Sequence, residues 1–168
     1  MDRLRETLTQ SRLKEFLHYD AATGTWTRRR GWKGCKAGDS VGYILPCGHR
    51  VISFCGKDYR SSHLAFLYMT GSLPRNQVDH KNVIPDDDRW DNLREATEAQ
   101  NRRNVHAYRN NTTGFKGVSY MKKLGKFRAT ITFNWKQMHI GVFDSAEEAH
   151  QAYSAKAYEL FGEFARTV

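Results

Sequence analysis

The sequence lacks the long apolar runs that a membrane protein needs. No stretch approaches the roughly 18 apolar residues of a membrane-spanning helix, and the N-terminal MDRLRETLTQ has no signal-peptide core. Cysteine is scarce too, with three residues at positions 35, 47 and 55. An odd number at irregular spacing argues against a disulfide framework and suits a reducing compartment. We therefore expect an intracellular, cytoplasmic protein that is not secreted and has no membrane span.

The metal-ligand spacings typical of zinc sites are missing as well. Cys47, His49, Cys55 and His63 could in principle gather a zinc ion, but the chain has no C-x-x-C pair and the spacing matches no familiar site. We expect the cysteines to be small buried thiols instead.

Acidic residues are in deficit. Asp and Glu total 18 against 27 Lys and Arg, so the 168-residue chain carries a formal charge of +9 and has a pI near 9.6. Such a balance favours a polyanionic partner, either nucleic acid or an anionic membrane surface. The length allows one ordinary domain or two to three small modules.

The pattern of apolar residues predicts an α+β protein that begins with a β-rich region over residues 1–72. A helix with an apolar face of Leu13, Phe16 and Leu17 comes first. Strand-like runs follow in TGTWTRRR, GYIL and RVISF, separated by Gly- or Pro-containing turns, and predict one small antiparallel sheet. The stretch SSHLAFLYMTG then predicts a helix that ends at Gly71 and packs on that sheet.

A second sheet with one helix is predicted over residues 113–168, after a polar linker at 107–112. GFKGVSYM, KFRATITFN and KQMHIGVF are three strand candidates, so the sheet is antiparallel and three-stranded. Ser145 and Glu148 stand at capping-box spacing and mark the start of the helix. Its apolar face is mostly alanine, which lets the helix lie close to the sheet.

Residues 73–106 carry the pattern that points to chemistry. QVDH predicts a strand, KNVIPDDDRWDN a loop, LREA a second strand, and the next residues a helix. His80 can act as a general base near neutral pH. Asp79 and Asn101 offer hard oxygen ligands that suit Mg²⁺ or Mn²⁺. Asn92 enters the second strand, where it can brace the loop by hydrogen bonds.

Two local expectations accompany this interpretation. Adjacent strand residues point to opposite faces, so Asp79 and His80 can serve one site only if the strand ends or twists there. The carboxylates of Asp86, Asp87 and Asp88 are expected to be solvated turn residues without a catalytic role.

Asp79-His80, Asn92 twelve residues after the histidine and Asn101 nine further on resemble the ββα-metal motif of the HNH endonucleases, in particular their homing-type branch from phages and self-splicing introns. The surrounding DNLREAT and QNRRN are similar to the wording of that family. The resemblance implies that His80 is the general base and that Asp79 and Asn101 ligate one divalent ion per active site. It also implies that Asn92 orients the loop bearing the histidine, and that the chain acts in a bacterial or phage-infected cell.

The C-terminal segment resembles the Apetala-two or ethylene-response-factor DNA-binding domain, through FKGVSY, GKFRATI, HIGVFDSAEEAHQAY and FGEFA. The resemblance implies that the sheet enters the major groove of double-stranded DNA. Several positively charged or aromatic positions of that family differ here, so its base preference does not transfer. The residues of this segment that we expect to contact DNA are Lys116, Tyr120, Lys122, Arg128, Thr130, Thr132 and Lys136.

Two further basic stretches are candidates for DNA contact. In WTRRRGWKGCK, tryptophans alternate with the cations Arg28, Arg29, Arg30 and Lys33, and this pattern fits DNA contact and an ordinary hairpin surface equally well. Arg102 and Arg103 follow the motif directly and could position the scissile strand or stabilise transition-state charge.

The leading hypothesis is a metal-dependent DNA endonuclease, a monomer or weak dimer that nicks or cleaves double-stranded DNA. The alternative from another class is a sequence-specific DNA-binding regulator with a catalytically inactive ββα unit. An RNA-binding protein fits less well, because the sequence lacks an aromatic RNA-stacking signature.

Overall fold

A computed structural model describes residues 7–31, 34–104 and 111–167. The chain divides into two compact units, Met1–Thr97 and Glu98–Val168. No helix in the described ranges is long and apolar enough to cross a membrane. Helices combine with small antiparallel sheets, so the predicted α+β class is confirmed.

Within its described residues, the first unit contains two α-helices, a 3₁₀-helix at Trp90–Asn92 and seven short strands. In chain order the α-helices and strands are α1 (Gln10–Phe16), β1 (Leu17–Asp20), β2 (Thr25–Arg28), β3 (Tyr43–Ile44), β4 (Arg50–Phe54), β5 (Lys57–Arg60), α2 (Ser61–Thr70), β6 (Gln77–His80) and β7 (Leu93–Ala96). Three antiparallel sheets result, with the strand orders β1-β2, β3-β4-β5 and β6-β7.

The N-terminal region departs from its predicted elements in two respects. It forms two sheets instead of one, because β1 and β5 were not expected and each adds a partner. The first helix ends at Phe16, and Leu17 takes extended backbone angles and pairs with Arg28. Leu17 is buried in either conformation, so its apolar character could not distinguish helix from strand. Gly71 ends α2 with φ of +85°, as expected for a C-cap glycine.

One apolar core holds the first unit together. Leu13 from α1, Ile52 from β4 and Leu64 from α2 are fully buried in it. Val78 and Leu93 from β6 and β7 belong to the same cluster. The hairpin that carries Asp79 and His80 is therefore fixed by the packing of the N-terminal region.

Within its described residues, the second unit contains one sheet with its covering helix, a short helix at its start and a 3₁₀-helix at Gly162–Phe164. Its α-helices and strands are α3 (Glu98–Asn101), β8 (Val118–Met121), β9 (Lys126–Phe133), β10 (Lys136–Phe143) and α4 (Ala146–Phe161). The three strands are antiparallel with β9 in the centre, and α4 packs on them, as predicted.

Small residues allow the close approach of α4 to the sheet. Ala149 and Ala157 are fully buried against Ala129 and Ile131 of β9. The Ser145 hydroxyl accepts a hydrogen bond from the Glu148 amide at 3.1 Å and caps the helix. Since Ala129 and Ile131 face the helix, the alternate residues of β9 face away from it.

The domain boundaries expected at residues 72, 106 and 112 stay predictions. The described structure divides between Thr97 and Glu98. Residues 107–110 of the predicted linker lie outside the described ranges.

Candidate active site

Asp79 and His80 lie at the end of β6, where the strand stops. The His80 carbonyl accepts a hydrogen bond from the Val83 amide at 2.9 Å, and Val83 has φ of +65°, so the chain turns sharply after the histidine. Both side chains are buried, with 4% and 6% relative exposure. The strand end that a shared site requires is therefore present.

The Asp79 carboxylate is bound across the hairpin by an arginine. Asp79 is directly opposite Arg94 in the β6-β7 ladder, and the Arg94 Nε donates to Asp79 Oδ2 at 2.8 Å. Both side chains are largely buried. This ion pair fixes the orientation of the carboxylate.

His80 is paired with a carboxylate that was not expected to be there. Its Nε2 lies 2.9 Å from Asp88 Oδ1, and the two side chains are 5% and 2% exposed. The expectation that all three loop aspartates are solvated is wrong for Asp88. Asp86 is exposed, whereas Asp87 is partly buried.

The β1–β2 hairpin contacts the backbone of Asp88. The Tyr19 hydroxyl donates to the Asp88 carbonyl at 2.5 Å. Burial, and secondly the nearby charge of Asp88, raises the pKa of Tyr19, so the phenol remains a donor. A Cβ on Gly24 would lie 2.5 Å from the backbone of Asp88 and Arg89, so only glycine permits this approach. Asp88 Oδ2 is buried and has no hydrogen-bond partner within the described ranges.

Asn92 connects both ends of the loop. Its Nδ2 donates to Asn82 Oδ1 at 3.0 Å and to the Asp87 carbonyl at 2.7 Å, while its Oδ1 accepts from the Asn82 amide at 3.0 Å. Asp87 in turn accepts from Arg89, which with Asn82 lowers the pKa of Asp87 to about 2. The loop after His80 is therefore a closed network of hydrogen bonds.

His49 lies beside His80, and the charge of Asp88 acts on a further histidine, His63. The rings of His49 and His80 are 5.7 Å apart between centroids. Burial, and secondly the charge of Arg60, lowers the pKa of His49. Burial and Arg60 likewise lower the pKa of His63. Both rings are therefore neutral at pH 7 and can donate or accept hydrogen bonds.

The cysteines do not join these histidines in a metal site. Within the described ranges, no group of three or more His, Cys, Asp or Glu side chains is placed to hold a metal ion. All three cysteines are free thiols, and Cys35 and Cys47 are exposed, so the expectation of buried thiols is wrong for these two. The zinc alternative has no support in this geometry.

In the described part of the basic stretch that includes β2, two exposed arginines accompany a buried tryptophan ring. Trp26 is 2% exposed and packs on Tyr19 in the core, so it is not available to DNA. Arg29 and Arg30 are exposed, and Arg30 forms an ion pair with Glu15 at 2.9 Å. Arg28 is partly buried, and Lys33 lies outside the described residues.

The remaining predicted DNA contacts belong to the second unit. Four of them, together with Arg102 and Arg103, line a cavity of about 550 Å³; the four are Lys116, Arg128, Thr130 and Thr132. None of the described residues that line this cavity is Asp or Glu. Tyr120, Lys122 and Lys136 are exposed outside it.

Cationic groups and their contacts shape this cavity. Lys116 Nζ donates to the Arg103 carbonyl at 3.0 Å. Burial, and secondly the charge of Arg166, lowers the pKa of Lys116 to about 8. The Arg103 guanidinium lies 4.6 Å from the ring centroid of Phe161, and Arg102 forms an ion pair with Glu98. Arg166 lines the same cavity, although no motif in the sequence indicated it.

Asn101 is the last residue of α3 and belongs to the second unit. Its assignment as a metal ligand stays a prediction. Among the residues that sequence reasoning missed, Asp88 had no signal of its own, because it is the third of three consecutive aspartates. Tyr19 and His49 stand outside the motif, and only the fold brings them to the loop.

One part of the chain, which includes several of these residues, matches a known protein family. Residues 59–103 match the HNH endonuclease family, and this range includes α2, the β6-β7 hairpin and α3. The family indicates a nuclease. No solved structure matches the chain.

A curated relative extends the match beyond the motif. Protein 3.8 of Escherichia phage T7 is 35% identical over 97 residues, which cover 57% of this chain and 79% of that protein. Its name states no activity. At this identity and coverage, the chain belongs to the same family as the phage T7 protein, and it carries an HNH endonuclease domain at residues 59–103.

Proposed function

We propose that the protein is a metal-dependent DNA endonuclease of the homing type, which hydrolyses phosphodiester bonds in double-stranded DNA. The observation that carries the proposal is the buried pair of His80 and Asp88 at the end of β6, inside the family-matched segment. Burying an imidazole against a carboxylate is costly unless the two form a hydrogen bond. The pairing therefore supports a catalytic role for His80.

In this proposal His80 is the general base. Asp88 accepts a hydrogen bond from Nε2–H and thereby selects the tautomer whose Nδ1 carries the lone pair. Nδ1 then removes a proton from the attacking water, and the Asp88 carboxylate stabilises the imidazolium that forms. Asn92 acts as a positioning residue, because its hydrogen bonds hold the loop that carries Asp88.

Asp79 and the predicted ligand Asn101 would hold one divalent cation. A carboxylate oxygen and an amide oxygen suit a hydrated hard ion, since Mg²⁺ typically keeps several waters with one or two carboxylates. The hydrogen bond from Arg94 holds the Asp79 carboxylate in a fixed orientation, which suits a metal ligand. When bound, Mg²⁺ or Mn²⁺ supplies positive charge that stabilises a phosphate oxygen and the leaving oxygen.

The second unit is proposed to bind DNA. A three-stranded sheet packed on one helix supports the resemblance to the Apetala-two type of domain. The cavity lined by Lys116 and Arg128 supports phosphate binding, because its described lining carries cations and no carboxylates. The flanking modules would select the site, and a monomer or weak dimer would nick or cleave it in the cytoplasm of the bacterial host.

A plasmid assay with His80→Ala tests this proposal. The purified chain should convert supercoiled plasmid to nicked or linear DNA with Mg²⁺, and EDTA should abolish this activity. His80→Ala should reduce the rate by about 10³-fold, because general-base catalysis contributes on that order, and should bind DNA as tightly as the parent.

Lys81→Ala is a matched control, since Lys81 is the next residue and is exposed. A parent protein that binds DNA without cutting it under any divalent metal would instead favour the DNA-binding regulator. Cleavage by His80→Ala at the parental rate would refute the role of His80.

A further inference from the structure

An exposed tryptophan stands at the tip of the β9–β10 hairpin. Phe133 and Lys136 form the last pair of the ladder, so Asn134 and Trp135 make up a two-residue turn. Their φ angles are +47° and +65°. A turn with two left-handed residues matches the twist of the strands and favours Asn followed by Gly. Here Trp135 occupies the position at which glycine is preferred.

The indole lies almost entirely outside the packing of the described fold. Trp135 is 90% exposed, the largest value among the exposed apolar residues. By contrast, Trp26 is 2% exposed, and Trp90 packs on Phe66 with ring centroids 5.0 Å apart. A single exposed apolar residue is ordinary. A nearly fully exposed indole on a backbone that disfavours every side chain is not ordinary, because both features oppose folding and solubility. Backbone strain of this kind points to a function at the tip.

The surroundings of the ring indicate the chemistry of its partner. Trp135 lines a shallow hollow together with Arg102, Arg103 and Thr132, all within the second unit. These three residues also line the larger cavity that holds Lys116. In the hollow, Glu98 is the single carboxylate among the described lining residues, and it is paired with Arg102. The ring therefore extends from a cationic surface, which suits a partner that presents phosphates beside flat apolar groups.

We propose that Trp135 stacks on a base of the bound DNA, while the arginines and Lys116 beside it hold the phosphate backbone. This inference rests on the proposed DNA-cleaving function and names a contact that it uses. Aromatic side chains stack on bases of any sequence, and apolar side chains inserted between base steps open and bend the duplex. A rigid two-residue turn presents the ring in a defined direction, which a long loop would not do.

Trp135→Gly tests the proposal, because stability and affinity should change in opposite directions. The full-length chain with His80→Ala serves as the background, so that the DNA is not cut. Glycine relieves the left-handed backbone, so Tm should rise. The affinity for a fluorescein-labelled 30-base-pair duplex, measured by anisotropy, should fall about tenfold, because base–aromatic stacking contributes on that order. The salt dependence should stay the same, since no phosphate contact is removed.

Two further variants separate stacking from other causes. Trp135→Phe keeps a ring and should recover most of the affinity. Leu124→Ala removes an exposed apolar side chain, 60% exposed, from the β8–β9 turn and should leave the affinity unchanged. Unlabelled duplex should also quench a tryptophan fluorescence component that is present in the background protein and missing in Trp135→Gly.

Distinct outcomes would overturn the inference. If Trp135→Gly binds the duplex as tightly as Leu124→Ala, Trp135 does not touch DNA. If it abolishes self-association and leaves DNA affinity unchanged, the ring docks on a second copy of the chain. A chain that cuts plasmid and shows either result loses this inference alone. A chain that neither binds nor cuts DNA loses the proposed function as well.

Discussion

The two units of the chain arrange their polar residues in opposite ways. In the first unit, Asp79, His80 and Asp88 are at least 94% buried, and each side chain has a partner at a defined distance. In the second unit, the cations around Lys116 line an open cavity, and Trp135 stands almost fully in solvent. The difference fits the two tasks proposed for the chain, catalysis and DNA binding. Chemistry needs fixed atoms in a site of low dielectric, whereas a grip on DNA needs accessible charge and exposed rings.

Among changes at residues outside the motif, Asp88→Asn should have the largest effect on cleavage. The amide is similar in size but cannot select the same tautomer or stabilise the imidazolium. We expect the cleavage rate at saturating DNA to fall about 10²-fold, with DNA affinity and Tm close to those of the parent. The measurement is single-turnover cleavage of a labelled duplex.

A second readout separates positioning from folding. NMR of ¹⁵N-labelled histidine should show that His80 carries its proton on Nε2 in the parent and becomes a mixture of tautomers in Asp88→Asn. Asp86→Asn is the matched control, because Asp86 is exposed and belongs to the same loop. An unchanged tautomer together with an unchanged rate would remove Asp88 from the mechanism.

Gly24→Ala should destabilise the first unit more than a comparable change destabilises the second. Gly24 has φ of +72°, and its Cβ would lie 2.5 Å from the backbone that carries Asp88. Gly125 has φ of +64° and nothing within 4 Å. Both variants incur the left-handed penalty of about 1 kcal/mol, and Gly24→Ala adds a steric clash that brings the total to about 3 kcal/mol.

Thermal and urea unfolding measure this difference directly. Gly24→Ala should also lose cleavage activity, since the clash displaces the loop behind His80. Equal losses of unfolding free energy in the two variants would mean that the approach of the hairpin to Asp88 is not a tight one.

The sequence predicts the parts of the fold that depend on local signals. The capping box at Ser145 and the C-cap glycine at Gly71 indicate helix ends, and both are found. Strands β6 and β7 are indicated by the polar loop that separates QVDH from LREA. Strand β5 has no such signal, because Lys57–Arg60 is polar and is a strand through its ladder with β4.

The residues of the candidate site also differ in whether the local sequence indicates them. Asp79, His80 and Asn92 are visible as a spaced motif in one stretch of chain. Asp88 is not, because its burial depends on Tyr19 and Gly24, which are more than 60 residues away in sequence. Tertiary contacts decided which of three identical aspartates faces the histidine, and no local pattern carries that information.

The smallest predicted effect concerns the second unit and is a pH dependence of DNA binding. The folded pKa of Lys116 is about 8, below the ordinary value of 10.5, so the side chain is charged at pH 7 and mostly neutral at pH 9. The arginines that line the cavity, including Arg166, stay charged throughout this range. Burial raises the pKa of the Tyr153 phenol, the other titratable group of the described lining, so it stays neutral.

A phosphate next to Lys116 favours the charged amine, so DNA affinity should fall about fivefold from pH 7 to pH 9 at constant ionic strength. Lys116→Arg remains charged and should lose most of this dependence, while Lys116→Met should bind weakly at both values. Anisotropy with the His80→Ala background measures all three proteins. If the parent and Lys116→Arg respond to pH alike, the titration arises elsewhere and the cavity does not bind phosphate through Lys116. A response confined to the parent would locate a phosphate at Lys116, the cation of the described lining that loses its charge in this range.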